Sequence, residues 1–465
     1  MKRLAAGLVL LAAAPCGAHG FGQRYDLPLP LWLYLSAAGL TVALTFALLA
    51  RQRDAPASTR PRRRVLLARV PGRAAIALAL RLLVLALYLL VLVAGFTGAQ
   101  NPVRNIAPAM VWAVWWVGMA YVSALAGDVW ACVNPLETVF RAFEWLWRSV
   151  AARAPRALLR LPPCCGMWPA ALLFLLFVWM ELAWDGSERP ASLAGAMLAY
   201  SLLTWCCMAL FGRARWLRHG EVFAIVFSLL ARFAPNQLRA GQWRVRPFGA
   251  GLLLRRPAGL SQIVLVMLML ASVSFDGVME TEPWLDLKAA LEPLLPPWAV
   301  PGLEGAALLL LPAGFLGVFL LCCRLMARCG GAAPASTLAT AGWYALTLVP
   351  ISIAYHFAHY LSFLAMALQY LIPLASDPLG LGWDLFGSKL YFIRLGVVDA
   401  RLVWYVSLFA IVAAHVAAVC LAHVMAQRQF PSRAQAMRSQ YPMLALMVGY
   451  TLLSLWIIAQ PIVSR

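Results

Sequence analysis

STLATAGWYALTLVPISIAYHFAHYLSFLAMALQYLI, residues 336–372, carries no Asp, Glu, Lys or Arg and decides the class of fold. A helix needs about 20 apolar residues to cross a bilayer's hydrocarbon core. This run is far longer, so it reads either as one long tilted helix or as a helix kinked or broken near Pro350, whose ring removes a helix donor. Its two imidazoles, His356 and His359, are the exception in an otherwise uncharged run.

Working outward, nine more apolar runs reach spanning length. With the first they give ten spans, at about 30–50, 76–95, 107–125, 168–184, 191–211, 258–275, 302–323, 336–372, 402–424 and 441–459. The composition agrees. The chain has 465 residues, is 63% hydrophobic and only 12% charged, where a soluble domain is about half apolar and about a quarter charged. The expected fold is therefore all-α, a polytopic transmembrane helical bundle forming one domain over residues 19–465. Segments 135–150 and 221–235 are apolar but short and charged, and they are expected along the inner interface as amphipathic helices. Asn134-Pro135 is a helix start for the first of them.

Residues 1–18 read as a cleaved signal peptide. Lys2 and Arg3 form a basic start, Leu4 to Ala14 a short apolar core, and Cys16-Gly17-Ala18 a small-residue cut site after Ala18. A different cut, or lipoprotein processing at Cys16, stays open. Cleavage after Ala18 leaves His19 as the mature N-terminus.

The net charge of +20 first suggests a nucleic-acid partner. Its placement says otherwise. The arginines, including Arg60, Arg62, Arg63 and Arg64, concentrate in loops on one side, which they share with only Asp54, Asp128, Glu137, Glu144 and Glu221. The other acids lie on the opposite side. This is the positive-inside pattern of cytoplasmic loops. It places both mature ends in the periplasm of a bacterial cytoplasmic (inner) membrane, makes the lipid bilayer the partner of the arginines, and leaves no basic soluble domain for nucleic acid. Nine cysteines of the mature chain fall on or toward the arginine-rich side, so no oxidised framework is expected outside.

The chemistry lies in the scarce polar residues. His356 and His359 are i and i+3, so they share a helix face, and His415 lies well inside the ninth span. Ionisable groups in a membrane are costly and face the protein interior or a wet cavity. Imidazole is a neutral ligand for zinc, copper, iron or nickel. A terminal His19 offers its amine and ring together, a chelate that suits copper. The metal set is thus His19, His356, His359 and His415, and the cofactor a divalent transition metal, zinc or copper. Glu181, near the outer end of the fourth span, and Asp276, which begins the loop after the sixth, are the carboxylates expected to orient a ligand or the attacking water. Asp26, Asp377 and Asp384 are loop acids of the same side, more in keeping with turns and caps. His219 is expected to be solvated in its arginine-rich inner loop, and His423 to be structural, as are Asp128 and Asn134.

Six stretches together resemble one family of bacterial and archaeal polytopic proteins, many carrying the name fenitrothion hydrolase. They are HGFGQRYDLPLP at 19–30, GDVWACVNP at 127–135, FDG at 275–277, YHFAHYLSF at 355–363, LIPLASDP at 371–378 with GWDLFG at 382–387, and SQYP at 439–442. The resemblance covers nearly the whole mature chain. It implies a membrane-bound hydrolase of organophosphates, an apolar small-molecule substrate, and a membrane or periplasmic partner protein. It supplies no catalytic map, so the residue roles above rest on the residues themselves. A metal can lower the pKa of bound water to about 7 and polarise the phosphoryl group, and a nitrophenolate leaves without protonation. Two other readings stay open: copper or other transition-metal handling or transport, and a non-catalytic scaffold. A transporter needs polar groups through the full depth of the bundle. An enzyme needs one convergent cluster.

Overall fold

The computed structural model describes residues 27–463 apart from 52–63, 68–71, 154, 240–241, 255, 297–298, 332–336, 395 and 397. The proposed signal peptide and His19 therefore lie outside the described residues.

Among the described residues ten helical segments are long and apolar enough to cross a membrane, and the chain is an all-α polytopic bundle. In order, with the shorter helices that matter here, they are α1 (Leu31–Arg51), α2 (Arg73–Thr97), α3 (Ile106–Ala126), α4 (Pro135–Ala151), α5 (Trp168–Leu182), α6 (Pro190–Phe211), α7 (Val222–Ala231), α8 (Leu260–Met279), α9 (Pro301–Cys329), α10 (Thr337–Tyr344), α11 (Val349–Ser376), α12 (Ala400–Gln429) and α13 (Arg433–Val463). A small antiparallel sheet of β1 (Arg64–Leu67), β2 (Asn236–Arg239) and β3 (Gln242–Val245), in the order β1-β3-β2, joins two of the arginine-rich connections.

The long uncharged run is two helices. α10 ends at Tyr344, a tight 3₁₀ turn covers Ala345–Leu348, and α11 begins at Val349 with Pro350 in its first turn. Proline is tolerated there because first-turn N–H groups have no helical partner. The break near Pro350 is thus where the sequence allowed it.

Burial separates a centre from a rim. In the most apolar window of α8, 78% of residues are buried, and 72% in that of α10 with α11, against 6% for α2. A helix that is apolar on all sides belongs either in a core or against lipid. α8 takes the core, with Ser272, Ser274 and Asp276 buried along it. α2 turns its leucines outward, where a bilayer would cover them.

One expectation changes. The 221–235 segment is not a surface amphipath. Eight residues of α7 are buried, from Val222 to Ala231. Glu221 makes this feasible: its carboxylate accepts from the N–H groups of Phe223 (3.2 Å) and Ala224 (2.6 Å) at the start of α7, and from the Tyr200 hydroxyl at 2.6 Å. The acid that suggested a water-facing helix is its cap. Burial pushes the Glu221 carboxyl above the ordinary carboxylate range, against the pull of these donors. α4 does expose a large apolar face, with Phe143, Trp145, Leu146, Trp147 and Val150 outside, and Asn134 caps it through the N–H groups of Leu136 and Glu137.

Candidate active site

The polar centre gathers where α5 and α8 end. Glu181 is the penultimate residue of α5, and Asp276 lies three residues before the end of α8. α11 passes both and presents His359 and Tyr360. The His359 Nε2 lies 2.8 Å from Asp276 Oδ2. The Tyr360 hydroxyl donates to the same Oδ2 at 2.7 Å and reaches Glu181 Oε1 at 3.1 Å. Trp116 on α3 donates its indole N–H to Glu181 Oε1 at 2.7 Å. Four helices therefore meet in one chain of contacts: Trp116, Glu181, Tyr360, Asp276, His359. Asp276 is 3% exposed, so its lone pairs are served by protein groups rather than bulk water.

Local sequence explains two parts of this. Residues Ala109–Gly118 of α3, immediately after Pro108, wind as a wide π-helix. Such widened turns accompany functional sites more often than chance, and this one carries Trp112, Trp115 and Trp116 together. Gly277, beside Asp276, leaves room for two neighbours. A Cβ there would stand 2.6 Å from Ile457 Cγ2 and 2.8 Å from the Tyr355 hydroxyl. Gly277→Ala is therefore expected to lower the stability of the purified protein by about 1–3 kcal/mol, as overpacked cores do. A thermal-unfolding midpoint equal to wild type would contradict the tight approach.

The other histidines go elsewhere. His356 packs its ring against Trp116, Tyr121 and Tyr360, with centroids 5.5, 5.6 and 4.7 Å away. Its Nε2 has no hydrogen-bond partner, nor has the Ser352 hydroxyl. Both residues line a cavity of about 30 Å³ with Trp116 and Tyr121. That volume suits a water molecule. His415 is fully buried. Its Nδ1 lies 2.9 Å from the Ile411 carbonyl, which can only accept, so the proton sits on Nδ1. Its Nε2 is left without a partner, and its ring lies 5.8 Å from that of Tyr450. His423 is fully used: Nδ1 lies 3.0 Å from Gln440 Oε1 and Nε2 2.9 Å from Gln427 Nε2. His219 lies 3.0 Å from the Gly166 carbonyl.

Of the residues singled out from sequence, Glu181, Asp276 and His359 come together, His356 adjoins them through Tyr360, and His415 belongs to a different set of neighbours. His19 lies outside the described residues. Asp377 accepts from the N–H groups of Leu381 and Gly382, and Asp384 from that of Lys389, so both are turn acids. Sequence reading missed Tyr360 and Trp116. The signal was present in both cases, because a Tyr or Trp inside a span has a polar group that needs a partner when buried.

Among the described residues no three His, Cys, Asp or Glu side chains converge as a metal site. Asp276 and His359 supply two donors at one place, where a catalytic zinc takes three protein ligands. No family model, no curated protein and no solved structure matches the chain.

Proposed function

We propose that the chain is an integral membrane hydrolase for apolar organophosphate triesters, with the Asp276–His359 pair as its base. The observation that carries this is the 2.8 Å contact between His359 Nε2 and a buried carboxylate. A carboxylate so placed fixes the imidazole's tautomer and orientation and stabilises the imidazolium formed when the ring takes a proton. His359 would take a proton from water as the oxygen attacks phosphorus. The P–O bond to the aryl group then breaks, and a nitrophenolate leaves with its charge. Glu181, Tyr360 and Trp116 position Asp276 rather than touch substrate. The cavity at His356 is water-sized, so a triester would approach His359 from the ends of α5 and α8. By the positive-inside rule that end faces the periplasm.

Metal transport has less support. It calls for free donors through the depth of the bundle, yet both ring nitrogens of His423, toward the arginine-rich end, are taken by glutamines. Glu181, Tyr360, Asp276 and His359 cluster at one end, as an enzyme requires.

The test uses the full chain in lipid nanodiscs. Nitrophenol release from a phosphotriester is measured for wild type and for His359→Gln, with metal content read by mass spectrometry on the same samples. A base of this kind contributes about 10²–10⁴ in rate, and His359→Gln is expected to lose that much. Equal rates in the two proteins would overturn the assignment of His359. Bound metal without hydrolysis would move the function to metal handling.

A further inference from the structure

A second cavity, of about 180 Å³, lies between α2, α3 and α6. Val84, Leu87, Val111, Val114 and Met197 supply apolar wall, and Trp115 an aromatic one. None of the residues Glu181, Asp276, His359 or Tyr360 lines it, so it is separate from the site above. Its wall on α2 is half-buried at Val84, Leu87 and Tyr88, on the helix with the least buried apolar window. The cavity thus opens toward the face a bilayer would cover.

Its polar groups are accounted for, with two exceptions, the indole N–H groups of Trp115 and Trp130, of which that of Trp130 lies toward the Glu221 carboxylate. The Tyr88 hydroxyl and Ser201 Oγ are 2.5 Å apart and satisfy each other. The Tyr200 hydroxyl donates to Glu221. The buried indole N–H of Trp115 has no hydrogen-bond partner, although a buried donor left unmade is costly. An apolar cavity of about 150 Å³ stays dry and takes up benzene. This one has room for a ring with a small substituent. Phe223 and Phe177 flank Trp115 edge-on, with centroids at 4.4 and 6.3 Å.

We infer that this cavity binds a neutral, single-ring aromatic molecule that enters from the bilayer and accepts a hydrogen bond from Trp115. The donor selects for an acceptor substituent such as a nitro or ester oxygen. The apolar wall selects against charge. The inference stands whether or not the chain is a hydrolase.

The test is fluorine NMR of 4-fluoronitrobenzene and of 4-fluorotoluene with the full chain in nanodiscs, against empty nanodiscs. The expected result is saturable binding above the lipid background, with the nitro compound about tenfold tighter, the worth of one hydrogen bond near 1.4 kcal/mol. Trp115→Phe should erase that preference while keeping 4-fluorotoluene bound. Val114→Trp should fill the cavity and abolish saturable binding of both, with thermal unfolding showing that the variant is folded. No saturable binding to wild type overturns the inference, as it would if a lipid chain held the cavity. So does a preference for the nitro compound that survives in Trp115→Phe. Nitrophenol release by these proteins is a separate readout and decides nothing about this cavity.

Discussion

Asp276→Asn is expected to lower phosphotriester hydrolysis by about 10⁴ and leave the bundle folded, the loss seen when an amide replaces the carboxylate behind a catalytic imidazole. Asparagine keeps the shape of aspartate and one acceptor oxygen. It can still accept from Tyr360, which now donates at 2.7 Å. It cannot carry the negative charge that stabilises an imidazolium at His359, 2.8 Å away. Its amide N–H₂, where it faces Nε2, favours the wrong tautomer. The loss should fall on kcat, because Asp276 is 3% exposed and offers substrate little to touch. Asp276→Ala makes the contrast. It removes both acceptors, leaves His359 and Tyr360 facing an empty buried space, and should cost about 3–5 kcal/mol of stability, as breaking a buried pair does. Hydrolysis by Asp276→Asn within tenfold of wild type would mean that the carboxylate does not serve His359 in catalysis.

The spans were legible because length and apolarity are what a bilayer requires. The break near Pro350 was legible as an alternative because proline's missing N–H restricts where a helix can run. α7 was not. Its flanking charges, Glu221 and Arg232, suggest a helix lying at a wet interface. Whether a charge faces water or a helix end depends on tertiary neighbours: Tyr200 and the first N–H groups of α7 take up Glu221.

The same distinction runs through the site. Glu181 and His359 stand out because a titratable group in a span needs a reason, whereas Asp276 reads as the start of the loop after the sixth span and lies instead within α8. That His356 and His359 share a face was correct by spacing. A step of three residues still turns the helix by about 60° from full register and rises about 4.5 Å. That offset gives His359 the carboxylate of α8 and gives His356 the aromatic wall of α3. Spacing along one helix places side chains relative to each other, and the facing helices choose their partners. Tyr360 escaped notice because tyrosine is ordinary in membrane helices, and only the convergence of two acids on its hydroxyl makes it central.

Tyr360→Phe is expected to cost about 1–3 kcal/mol in stability, since it removes a donor that two buried acids share. The hydroxyl bridges the two carboxylates, 2.7 Å from Asp276 and 3.1 Å from Glu181. Without it, Asp276 keeps His359 and Glu181 keeps Trp116, and two acids face each other across an apolar ring. A low-dielectric interior makes it costly for both to be ionised. A second substitution is expected to rescue the loss. Glu181→Gln removes one of the two titratable acids and keeps an acceptor for the Trp116 indole. In the Tyr360→Phe background it should therefore restore much of the lost stability, whereas alone it should be mildly destabilising. The double-mutant cycle reads this as a coupling of about 1–3 kcal/mol, the range for residues in one polar network. Additive effects would show that Tyr360 holds the two acids independently. Coupling of the expected sign would show that the hydroxyl's role is to keep two carboxyl groups together in the bundle.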